Sequence, residues 1–84
     1  MNSILMRKVV VGAAYAPLVL SRTAFSGVVS CPPANAAVVN FLGDDGSDVP
    51  WIAGEWHEFK DVDLSGIQVK GAVGDTVTVV GGDW

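Results

Sequence analysis

From residue 24 onward the chain has the pattern of a compact all-β unit, and no segment beyond residue 30 holds helical spacing over a useful length. Short runs rich in Val, Thr, Ile and Phe are cut repeatedly by clusters of Gly, Pro, Asp and Ser. The runs cover 27–31, 36–42, 49–52, 55–62, 67–70 and 76–80, and "CPPAN", "LGDDGSD", "AGE", "DVDLSG", "KGAVGD" and "GGD" fall around them. In "GDTVTVVGG", Val77 and Val79 share one side and Thr76 and Thr78 the other, the period of a half-buried strand. "GIQVKG" repeats the pattern, with Ile67 and Val69 inward and Gln68 and Lys70 outward. Closely spaced strands with turn chemistry between them specify an all-β chain. The expected fold is a small antiparallel β-sandwich, jelly-roll-like.

The first 23 residues read differently. Arg7 and Lys8 precede an apolar stretch from 9 to 20, interrupted by Gly12 and Pro17, as in a secretory leader. That stretch falls short of the roughly 20 residues needed to span a bilayer. Runs at 6–11 and 18–20 also have strand character. We expect residues 1–23 to form an extended N-terminal arm or strand that contacts neighbouring subunits, and residues 24–84 to form the sandwich.

Half of the residues are hydrophobic and 17% are charged. A domain of this size hides only about 60% of the surface its unfolded chain exposes, so apolar surface is left over for a partner. Arg7, Lys8 and Arg22 make residues 1–43 basic, while all nine acids lie in 44–84. An acidic half repels phosphate, and no basic run or zinc-finger spacing is present, so direct nucleic-acid binding is not expected. Nor is a membrane partner.

Chemistry-bearing residues are sparse. Cys31 is alone, so no intramolecular disulfide can form. With no cation nearby in sequence to activate it, it reads as a buried structural thiol. His57, the single histidine, shares a strand face with Phe59, while Trp56, Glu58 and Lys60 face the other way. Glu55 shares the His57 face, but a lone histidine is poor material for a metal site. His57 is expected to be a packed or hydrogen-bonded sheet residue. The "GDDGSD" loop fails an EF-hand register, since Gly46 and Val49 fall at its third and sixth places. A hairpin turn is expected there, with a weak ion site of Asp44, Asp45 and Asp48 left open. No catalytic residue, metal or cofactor is assigned. Trp56 lies on what should be the wet face of its strand, where an aromatic suits an interface anchor or a small second core.

The elements "VLS", "PPAN", "NFLG", "VP", "AGE", "DLSGIQVKG" and "GDTVTVV" follow one another within residues 17–80. In that order they resemble a family of small β-sandwich proteins encoded among the structural genes of tailed bacteriophages. The chain departs from the family pattern at Trp51, Trp56 and its "GGDW" end. The resemblance implies a virion component made in the host cytoplasm. It would be a capsid decoration (cement) protein on the capsid surface that bridges major capsid subunits, assembled as a homo-oligomer, a trimer. A tail or head–tail component is the alternative within that class, and a carbohydrate-binding module using Trp51 and Trp56 the alternative outside it. The expected partner-binding residues are Arg7, Lys8, Tyr15, Trp51, Trp56 and Trp84.

Overall fold

A computed structural model describes residues 3–83. Eight strands run in chain order: β1 (Ile4–Val10), β2 (Ala16–Pro17), β3 (Ala24–Ser30), β4 (Val39–Leu42), β5 (Asp48–Trp51), β6 (Trp56–Asp63), β7 (Gln68–Lys70) and β8 (Thr76–Gly82). One 3-10 turn, Leu64–Gly66, precedes β7. The strands form two four-stranded sheets, ordered β1-β8-β3-β6 and β2-β7-β4-β5, with every pairing antiparallel. The chain is therefore a small antiparallel β-sandwich. Its pairings nest: β1 with β8, β2 with β7, β3 with β6 and β4 with β5.

The core lies between the sheets and follows the expected alternation. Phe25, Val29, Val77 and Val79 enter from the first sheet, and Val39, Phe41, Trp51 and Val69 from the second. Val11, Leu18, Val19, Cys31 and Leu64 close the ends. No buried side-chain nitrogen or oxygen among the described residues lacks a hydrogen-bond partner. Buried polar groups left unpaired would cost about 1–3 kcal/mol each.

Turn chemistry sets the corners. Ile52–Glu55 and Ala72–Asp75 are each closed by a backbone bond from fourth residue to first, of 3.0 Å. Gly54 (φ 88°) and Gly74 (φ 97°) stand at the third place, where a type II turn needs positive φ. Asp63 caps the 3-10 turn, its Oδ1 accepting from the Thr23 and Ser65 amides at 3.0 Å.

Three features depart from the sequence reading. Residues 36–38 lie outside β4, because Asp75 accepts the Ala36 and Ala37 amides at 2.9 and 3.0 Å, removing both from any ladder. Residues 18–20 are not a strand. Leu18 and Val19 turn into the core just past β2, and Leu20 points to solvent. The third concerns the arm. Residue 23 marks no boundary, because β1 is hydrogen-bonded along its length to β8 and β2 lies beside β7. In the described chain these residues belong to the sandwich itself.

Candidate interaction surface

The two outer faces of the sandwich differ in chemistry. On the second sheet, Asn40, Leu42, Asp48, Pro50, Gln68 and Lys70 face away from the core. Tyr15 lies against that face. Its hydroxyl donates to Asp48 Oδ1, and Lys70 Nζ sits 4.7 Å from the ring centroid and 3.8 Å from the Asp48 carboxylate. The bond to Asp48 holds the phenol protonated and pushes its pKa up to about 12. Apart from Leu42 and Pro50, this side is polar and internally engaged.

The first sheet presents the opposite. Met6, Val80, Val28 and Glu58 form one row across all four strands, and Lys8, Thr78, Ser30 and Trp56 form the next. Along β1, Ile4 adjoins Met6 on this face and Val10 follows beyond Lys8. Ile4 is 73% exposed, Met6 71%, Val10 63% and Trp56 60%, and Val80 is half-exposed. Ser30 and Thr78 hydroxyls bond at 2.6 Å in the middle. Several large apolar side chains this exposed on one sheet face, with nothing packed over them, mark an interaction site.

The expected partner-binding residues separate. Trp56 and Lys8 are exposed in the same row of the first sheet's outer face, while Arg7, exposed at the β1 edge, pairs with the buried Val79 and so has the opposite parity. Tyr15 is on the other side of the molecule, tied to Asp48. Trp51 is corrected: it is 6% exposed, stacked on Phe41 at 3.7 Å and reached by the His57 ring edge-on at 4.6 Å. It bridges the sheets and presents no surface to a partner. The reason is parity: Trp51 pairs with Val39, a core position, so its side chain points inward with it. Trp84 lies outside the described residues. The second core considered for Trp56 does not form, since the indole is open to solvent. Ile4, Met6, Val10 and Val80 were not singled out from the sequence; apolar residues on both parities of "ILMRKVV" are the signal that marks them.

Among the described residues the candidate reactive groups do not converge. His57 Nε2 lies 2.7 Å from Glu55 Oε2, and Glu55 Oε1 accepts the Ile52 amide at 3.0 Å. These bonds hold the Glu55 carboxyl below the ordinary carboxylate range. His57 is thus a hydrogen-bonded, packed sheet residue. Cys31 is buried, and burial, with Glu55 and Asp75 adding, pushes its thiol up to about 11. A protonated thiol is the reverse of a nucleophile. The acidic loop does not gather. Asp45 Oδ1 accepts from the Ser47 amide and hydroxyl at 3.0 and 2.6 Å, while Asp48 turns to Tyr15 and Lys70. Among the described residues no three His, Cys, Asp or Glu side chains are placed to hold a metal ion, and no helix is long and apolar enough to cross a membrane. An open pocket of about 410 Å³ sits beside the β3–β6 bulge, lined by Gly27, Glu58, Phe59, Lys60 and Asp61 among others, without His57 or Cys31. Comparison with protein-family models, curated proteins and solved structures found no match.

Proposed function

We propose that this chain is a non-enzymatic binding protein of a virion, a capsid decoration protein that docks the outer face of its first sheet onto a shell of major capsid protein. The observation that carries the docking role is the exposed apolar group of Ile4, Met6, Val10 and Val80 with Trp56 at the other edge of the same face, set against a more polar opposite face. The virion assignment rests on the resemblance of residues 17–80 to phage structural proteins. The nested strand pairing also favours the jelly-roll winding expected for such a domain. Burying this group gains about 25 cal/mol for each Å² of apolar area covered, and repetition over a shell multiplies modest contacts. A closed trimer would supply that multiplicity. A glycan-binding role loses support, because of the tryptophan pair it needs only Trp56 is at the surface.

The test is co-sedimentation of the purified chain with empty shells assembled from the same virus's major capsid protein, with shell melting followed in parallel. Binding with a rise in shell melting temperature is the expected result. Trp56→Ser should weaken it by about 30-fold, the loss of an interface anchor worth about 2 kcal/mol. Absence of binding to shells, or binding indifferent to Trp56, rejects the proposal.

A further inference from the structure

The two sheets have four edges: β1, β6, β2 and β5. Three are blunted. β2 has two residues and ends in Pro17, and β5 carries Pro50 within four. β6 is interrupted where Lys60 and Asp61 together oppose Ser26. There Asp61 takes φ 52° and its amide donates to Ser26 Oγ at 2.9 Å. Short length, proline and bulges are the devices by which proteins stop an edge from adding strands. β1 has none of these; its guard is charge, Lys8 on the outer face and Arg7 on the inner, which repels a like-charged strand and not an acidic one. It runs seven residues in unbroken register with β8, without proline, glycine or bulge.

Ladder parity identifies the groups that β1 leaves open. The Val11 amide donates to the Asp75 carbonyl at 2.9 Å, and the Ser3 carbonyl accepts the Asp83 amide at 3.2 Å. Antiparallel alternation then turns the backbone of Leu5, Arg7 and Val9 toward β8 and that of Ile4, Met6, Lys8 and Val10 outward. These four also carry the exposed side chains of the outer face. The charge of the edge selects its occupant. Arg7 and Lys8 sit at its centre, and neither is within ion-pair distance of a carboxylate among the described residues. The chain as a whole is at −4. A second copy laid antiparallel on β1 would set Arg7 or Lys8, according to register, opposite its own counterpart, with the other cation pair diagonally adjacent, an opposition of like charge that disfavours pairing. An acidic strand reverses that sign.

We infer that the open edge of β1 accepts an extended, acidic segment of a partner protein as a fifth strand of the first sheet. This deepens the docking role and rests on it only in taking the partner to be a protein. Main-chain bonds to Ile4, Met6, Lys8 and Val10 would hold the segment, and carboxylates on its outward face beside Lys8 would set its register.

Amide exchange on the full chain, followed by NMR, tests the inference. The probe is a synthetic peptide as long as β1, alternating Val or Thr with Glu or Asp, and its counterpart with Lys for each acid. The acidic peptide should slow exchange of the Met6 and Lys8 amides by about tenfold or more while the Arg7 amide, already bonded to β8, changes little. Met6→Pro removes an N–H the fold does not use and should abolish this protection with Arg7 still slow; Lys8→Glu should weaken the acidic peptide alone. Equal binding of the two peptides, binding that survives Met6→Pro, or no protection at Met6 and Lys8 overturns the inference. So does concentration-dependent protection without peptide accompanied by a dimer in sedimentation, which assigns the edge to a second copy. Trp56→Ser should leave peptide protection intact, so failure of shell docking and failure of strand addition are told apart.

Discussion

Trp51 and Trp56 stand close in the chain and end in opposite surroundings, one stacked on Phe41 between the sheets and the other open to solvent. Their substitutions should separate stability from binding. Trp51→Ala is expected to cost about 3–5 kcal/mol, because it empties the bridge between Phe41 and Phe59. Trp56→Ser should shift stability by no more than about 0.5 kcal/mol while shell binding falls. Urea denaturation beside co-sedimentation measures both. Acid sensitivity is also a residue-level property. Amide and hydroxyl donors from Thr23 and Ser65 hold the Asp63 carboxyl below its ordinary value, and Asp45 and Glu55 are lowered likewise. A carboxyl lowered in the folded state binds its proton more readily once unfolded. Its contribution is present above the ordinary carboxylate range and is lost as pH falls through that range and below. The urea midpoint should therefore drop on acidification, and Asp63→Asn should flatten that drop. At the alkaline end the sign reverses in form. Cys31, raised from 9.0 to about 11, ionises first in the unfolded chain, so stability should decline as pH rises across that interval.

Among the elements, β3 and β8 meet at a pair of glycines, Gly27 opposite Gly81. A Cβ built on Gly81 would lie 2.2 Å from the Ser26 carbonyl oxygen and 2.7 Å from the Gly27 Cα, contacts no side chain can share. Gly81→Ala should destabilise by about 1–3 kcal/mol through forced backbone movement. Gly12→Ala, with nothing within 4 Å of the added carbon, should stay within about 0.5 kcal/mol. Thermal unfolding of the pair checks this. Strand positions were largely readable from sequence: β8, β7, β6 and β5 match their apolar runs to within a residue or two, because period-two alternation and turn glycines are local signals. The start of β4 was not, since it depends on Asp75, a carboxylate nearly forty residues away that takes the Ala36 and Ala37 amides.

At the scale of the whole molecule, the nested pairing joins the two ends of the chain, β1 against β8. Contacts so distant in sequence make folding slow, on the order of milliseconds to seconds. They also make β1 part of the structure rather than an appendage. Removing residues 1–10 would strip Leu5 and Val9 from the core's edge and leave β8 unpaired on one side. The truncated chain should lose its cooperative unfolding transition, seen as loss of near-UV circular dichroism; an unchanged transition would show that the first strand is dispensable.

Fold class, strand positions, the buried valines and the buried Cys31 follow from the sequence alone, because alternation and turn chemistry act over a few neighbouring residues. The place of Trp56 on an exposed face was legible for the same reason. Which tryptophan is buried, the union of residues 4–10 with the sheet and the exposed apolar group of Ile4, Met6, Val10 and Val80 were decided by tertiary structure. Each depends on strand order and register, which set the opposite neighbour of a residue, and that neighbour lies far away along the chain.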